Sequence, residues 1–157
     1  MPSTFLSLHY HLVFSTQGRE PFISSPWRDR LHEYLGGTTK GLSAHIEVVG
    51  GVADHVHLLV ELRATHTLAD FMCELKKTSS KWIHDEIPLK AFAWQEGYAA
   101  FTVSASARVE VRRYIENQEE HHRERSFRDE LKICSNARVL ASMSGIWIEA
   151  SSVTPLG

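Results

Sequence analysis

Leu6, Leu8, Tyr10, Leu12 and Phe14 alternate with Ser7, His9, His11 and Val13. That period-2 pattern predicts a half-buried strand over residues 5–14. Ser25-Pro26 then offers an N-cap followed by proline at the first helical position. Trp27, Leu31, Tyr34 and Leu35 follow at helical spacing, and Gly36-Gly37 is expected to weaken or end that helix. A second strand, rich in β-branched residues, is expected from His45 to Val52, with a bulge or tight bend at Gly50-Gly51. A short turn at Ala53-Asp54 leads into a third strand, His55 to Leu62. So short a connection implies an antiparallel hairpin.

Thr67 with Asp70 carries the signal of a capping box. Behind it Leu68, Phe71, Met72, Leu75, Ser79, Trp82 and Ile83 form one stripe of a helix, and Pro88 closes it. Gly97 to Val103 reads as a fourth strand. Ser104 or Ser106 then caps a helix from about Arg108 to Arg123. The order is β-α-β-β-α-β-α. Its first six elements predict an α+β, ferredoxin-like (RRM-like) fold: one antiparallel sheet with two helices on one face. The seventh element is an extra C-terminal helix.

Length and composition narrow the class. A chain of 157 residues suits one domain, with a core at about 5–130 and an unassigned tail at 131–157. Its 43% of apolar residues suffices for a packed globule and argues against bulk disorder. No apolar run approaches the ~18 residues of a membrane span. The start has no basic segment, and His9 and His11 interrupt its apolar run, so no signal peptide is expected. Cys73 and Cys134 make neither a disulfide framework nor a metal-type pair, which suits a reducing cytoplasm.

A net charge of −2 does not advertise a nucleic-acid binder. Such a protein must concentrate its basic residues locally. Three clusters offer this: Lys76, Lys77 and Lys81; Arg108, Arg112 and Arg113; Arg123, Arg125 and Arg128. Each cluster taken alone also fits an ordinary solvated helix face.

The chemistry-bearing residues begin with His55-Val56-His57. Side chains two apart on a strand share a face, so both imidazoles can reach one divalent ion while Val56 and Leu58 face the core. Asp54 is placed to orient one ring. His9-Tyr10-His11 has the same spacing. Either pair also fits two polar residues on the wetter face of a half-buried sheet. On the last predicted helix, Tyr114 and Gln118 stand at i and i+4, with Cβ atoms ~5–6 Å apart. Gln118 offers a carbonyl oxygen as a third ligand. Tyr114 offers a phenol, which with a pKa of about 10 needs a metal or basic neighbour to act as a nucleophile. A core tyrosine beside a solvated glutamine is the alternative.

Taken together, these motifs resemble the single-tyrosine HUH transposases. His-Val-His in a strand and Tyr-x-x-x-Gln in a helix are joined by Tyr10-His11-Leu12-Val13-Phe14-Ser15-Thr16, similar to that family's first strand. Gly51-Val52-Ala53-Asp54-His55-Val56-His57-Leu58-Leu59-Val60 is similar to its metal strand. Trp94-Gln95-Glu96-Gly97-Tyr98, and Tyr114-Ile115-Glu116-Asn117-Gln118 with His121-His122, resemble the branch that includes transposases associated with repetitive extragenic palindromes. The resemblance spans roughly residues 5–130 and favours His55 and His57 over His9 and His11. It implies that His55, His57 and Gln118 hold Mg²⁺ or Mn²⁺, and that Tyr114 is the catalytic nucleophile, giving a 5′-phosphotyrosine and a free 3′-hydroxyl. It further implies a substrate of single-stranded, hairpin-bearing DNA, for which the basic clusters offer Lys76, Lys77, Lys81, Arg112 and Arg113 as contacts. A homodimer with active sites shared between subunits is also implied. A domesticated nickase, or a nuclease resembling replication initiators, keeps the same chemistry. A non-catalytic ferredoxin-like nucleic-acid-binding module and a small metallohydrolase are the readings from other classes.

Overall fold

The computed structural model describes residues 3–120. Four strands, β1 (His9–Ser15), β2 (His45–Gly51), β3 (His55–Glu61) and β4 (Ala99–Val103), form one antiparallel sheet in the order β2-β3-β1-β4. Helices α1 (Ser25–Gly41) and α2 (Leu68–Glu86) connect them, and α3 (Arg108–Glu116) follows. This is the α+β, ferredoxin-like arrangement that the element order predicts.

The strand pleat sorts the side chains. Leu12, Phe14, Val56, Leu58 and Val60 point to one face, where α1 adds Trp27, Leu31 and Leu35 and α2 adds Phe71, Met72, Leu75 and Ile83. On the opposite face, Leu59 and Val103 pack with Ile115, Val111 and Tyr114. The third helix therefore lies across the sheet from the other two. Ser79, the one polar member of the α2 stripe, is buried and accepts a hydrogen bond from the indole N–H of Trp94 at 2.9 Å.

Several boundaries differ from expectation. Phe5 and Leu6 are exposed, so their alternation buries nothing and the first strand begins at His9. Gly36-Gly37 does not end α1, which runs on to Gly41. Each glycine costs roughly 1 kcal/mol against alanine in a helix. Burial of Leu35 and Thr39 on either side offsets that cost, and Thr39 Oγ1 donates to the Leu35 carbonyl at 2.8 Å. The irregularity in β2 falls between Ile46 and Val48 rather than at Gly50-Gly51. Thr67 is the N-cap of α2, but no side-chain cap bond forms, and Asp70 supports the first turn only by its charge. Leu68 and Trp82 are half-buried at the edge of the core.

The last helix is the most consequential correction. The expected run to Arg123 is interrupted: α3 ends at Glu116, Asn117 caps it with non-helical backbone, residues 118–120 are helical again, and 121–123 lie outside the described residues. The Arg123/Arg125/Arg128 cluster, His121-His122 and the tail at 131–157 lie outside the described residues. Among the described residues, no helix is long and apolar enough to cross a membrane.

Candidate active site

The site lies on the α3 face of the sheet. Register places Val13 opposite His57, Ser15 opposite His55 and Gly50 opposite His57. Period-2 alternation therefore puts His9, His11, His55 and His57 on one face, across the two central strands. All four are buried, His11, His55 and His57 fully.

Each histidine of the β3 pair is held from behind. His55 Nδ1 lies 2.7 Å from Asp54 Oδ1. A carboxylate only accepts, so the ring donates from Nδ1 and its other nitrogen, Nε2, faces away from Asp54. His57 Nδ1 lies 2.8 Å from His11 Nε2. The His55 and His57 rings stand 5.0 Å apart, inclined at 66°.

Helix α3 brings up the remaining groups. Gly50 allows its close approach, because a Cβ there would overlap the carbonyl oxygen of Ile115. Ile115 and Val111 anchor the helix to Leu59. Arg108 at its start pairs with the nearly buried carboxylate of Glu47. So anchored, α3 presents Tyr114 edge-on to His57, with ring centroids 5.9 Å apart, and edge-on to His11 at 6.1 Å. Gln118 follows the break at Asn117 and folds back, its Nε2 donating to the Tyr114 carbonyl at 3.2 Å. Its Oε1 is buried and has no hydrogen-bond partner among the described residues.

That Oε1 tests whether the residues suit a divalent cation. A buried acceptor left unmet costs about 1–3 kcal/mol, a cost a bound cation removes. Among the described residues, no group of three His, Cys, Asp or Glu is placed to hold a metal. The residues expected from the sequence, His55, His57 and Gln118, offer two imidazoles and one neutral amide oxygen. Mixed nitrogen and oxygen donors of this kind fit a divalent ion such as Mn²⁺.

Motif residues that the sequence left without an individual role border the site. Ser15 Oγ donates to Gln95 Oε1 at 2.9 Å, and the Gln95 amide N–H donates to the Ser15 carbonyl at 2.9 Å. Two bonds to one residue thus hold the exposed Gln95 side chain beside the strand end that pairs with His55. Trp94 next to it is buried against Phe14 and Phe92.

The basic residues do not assemble into one face. Lys76 turns into the protein: its Nζ donates to the carbonyls of Gln95, Glu96 at 2.8 Å and Gly97 at 3.2 Å. Partial burial lowers its pKa. Lys77 pairs with Glu74, Lys81 with Asp85 and Arg112 with Glu116, all on exposed helix surface. The Lys81 pKa is raised by the hydrogen bond it donates to Asp85. Arg113 is exposed. The lysines sit on α2 and the arginines on α3, so the two clusters belong to opposite layers. His9 is directed away from the β3 pair, its Nε2 3.6 Å from both Glu47 and Glu61.

Comparison with known proteins agrees with this fold. The transposase TnpA of ISDra2 from Deinococcus radiodurans is 26% identical over 117 residues, covering 71% of this chain and 84% of that protein. The crystal structure of a presumed transposase from Deinococcus radiodurans R1 superposes with a TM-score of 0.61 at 25% identity, covering 75% of this chain and 96% of that one. A REP-associated tyrosine transposase bound to a REP hairpin shares the fold at a TM-score of 0.53 and 13% identity, covering 73% of this chain and 70% of that one. The family model described as "Transposase IS200 like" matches residues 4–118, and the chain is thus a DNA transposase that belongs to the IS200-like family.

Proposed function

We propose that this transposase cleaves and rejoins single-stranded DNA through a covalent bond to Tyr114. The observation that carries the reading is the edge-on placement of Tyr114 against His57, with the Gln118 amide folded back beneath the same turn. The Tyr114 phenol ring thereby meets His57 on the α3 face of the sheet, and the buried Gln118 Oε1 is a further acceptor one turn on.

His55, His57 and Gln118 are the residues that would hold Mg²⁺ or Mn²⁺. Such an ion supplies charge stabilisation at the scissile phosphate. The chain's own groups do the rest. Asp54 orients His55, and α3 aims the phenol. The Tyr114 oxygen attacks phosphorus, a Tyr–O–P bond forms, and the bond to the 3′ oxygen breaks. The phenol loses its proton and the departing 3′ oxygen gains one. Reversal by another 3′-hydroxyl restores a phosphodiester and frees Tyr114. One phosphodiester is exchanged for another, so no nucleotide is consumed.

The substrate in this reading is a hairpin-bearing single strand, as one structural neighbour is a transposase bound to a REP hairpin. Exposed Lys77, Lys81, Arg112 and Arg113 supply phosphate contacts, and Lys76 acts indirectly by holding the loop of Gln95. The reaction takes place where DNA and reduced thiols coexist, in the cytoplasm. The working unit is a homodimer in which α3 of each subunit serves the partner's sheet by the same contacts it makes on its own.

The test is incubation with a library of hairpin-bearing single strands and Mn²⁺, followed by denaturation and sequencing of covalently captured DNA. A 5′-phosphate on Tyr114 is expected. Product released without an adduct would point to a metallohydrolase, and intact DNA to a binding module.

A further inference from the structure

Metal-binding histidines are generally held through their second ring nitrogen, and that partner fixes the tautomer and the ring orientation. The two histidines of β3 differ in this respect. His55 is backed by the carboxylate of Asp54, which can only accept. His57 is backed by His11, another imidazole, which accepts only when its own proton sits on the far nitrogen.

We propose that His11 is the positioning residue for His57, holding it as the Nδ1–H tautomer with Nε2 turned toward the site. The proposal rests on the reading of His57 as a metal ligand. His11 is fully buried, its Nε2 is 2.8 Å from His57 Nδ1, and the two rings stack at 5.0 Å with 28° between their planes. Phe101 on β4 flanks the His11 ring at 5.9 Å, and Tyr114 meets its edge at 6.1 Å. The ring is therefore confined by neighbours on β3, β4 and α3. For His57 to present a lone pair at Nε2, its proton must be on Nδ1. That proton is donated to His11 Nε2, which places the His11 proton on Nδ1. Two neutral imidazoles are thereby locked in one tautomer each. His9, two residues earlier on the same strand, takes no part because it is engaged with Glu47 and Glu61.

The test has a metal-free arm and a metal-binding arm. Nitrogen-15 NMR of the metal-free, histidine-labelled full chain is expected to show His57 protonated at Nδ1 and bonded to His11. A His57 proton on Nε2 overturns the proposal. In the second arm, Mn²⁺ affinity is measured by electron paramagnetic resonance for wild type, His11→Leu, His11→Gln and His57→Ala, with thermal unfolding as the check on folding. His11→Leu removes the acceptor while keeping an apolar body, and a 10–100-fold loss of affinity is expected. His11→Gln returns a carbonyl oxygen near the place of Nε2 and is expected to recover most of that loss. Wild-type affinity in folded His11→Leu, or no recovery in folded His11→Gln, overturns the positioning role alone. Unchanged affinity in His57→Ala overturns the ligand reading and this proposal with it.

Discussion

Gly50 lies directly beneath Ile115, so close that a single added methyl group would overlap the Ile115 carbonyl oxygen. Because Gly50 pairs with His57 and Ile115 follows Tyr114, this contact sets the distance between the Tyr114 turn and the sheet. Gly50→Ala is expected to lift the last turn of α3 and lower single-turnover cleavage by roughly 100-fold, the usual cost of an ångström of misplacement. Circular dichroism should remain that of the folded protein. Cleavage within twofold of wild type would show that the helix is free to shift without consequence.

Tyr114→Phe keeps the ring that packs against His57 and His11 and removes only the oxygen. Cleavage is expected to vanish, while single-strand affinity and the unfolding midpoint stay nearly unchanged. A protein–DNA adduct still visible on a denaturing gel would remove Tyr114 from the mechanism.

Metal dependence should divide among the ligands by donor strength. His57→Ala is expected to abolish Mn²⁺-dependent cleavage, and Gln118→Ala to weaken it less, because a neutral amide oxygen is the poorer ligand. His9→Ala should leave Mn²⁺ affinity close to wild type, since its ring faces Glu47 and Glu61. Titration calorimetry showing the opposite order for His9 and His57 would refute the ligand assignment.

Binding to hairpin-bearing single strands should weaken as salt rises. With Lys77, Lys81, Arg112 and Arg113 each neutralising one phosphate, release of roughly 0.7 counterion per contact gives a log–log slope near about −3. Equal affinity for blunt duplex, or a flat salt response, would contradict the proposed substrate.

Subunit sharing is open to a mixing experiment. In a symmetric dimer a helix exchanged once is exchanged twice, giving two composite sites. If inactive His57→Ala and inactive Tyr114→Phe exchange subunits at random, about half the dimers are mixed, and each holds one intact composite site. About a quarter of wild-type activity should then return. No recovery, with exchange confirmed by mass spectrometry, would mean that each site is built within one chain.

Local pattern was enough to determine the strands, the two long helices and the shared face of His55 and His57, because pleat and helix periodicity act over a few residues. It also placed Tyr114 and Gln118 four apart. What it left undecided depended on groups distant in sequence. Gly36-Gly37 reads as a stop, yet Leu35 and Thr39 are buried by elements elsewhere, and packing outweighs propensity. Tyr-x-x-x-Gln reads as one unbroken helix turn, but the helix is interrupted at Asn117 between them, and Gln118 is nonetheless buried, its amide donating to the Tyr114 carbonyl. The lysine triplet reads as one basic patch, but Lys76 meets three carbonyls of a loop some twenty residues away. The two His-x-His pairs are equivalent in spacing. Only strand register, set by burial across the whole sheet, brings His11 to His57 and leaves His9 to Glu47 and Glu61.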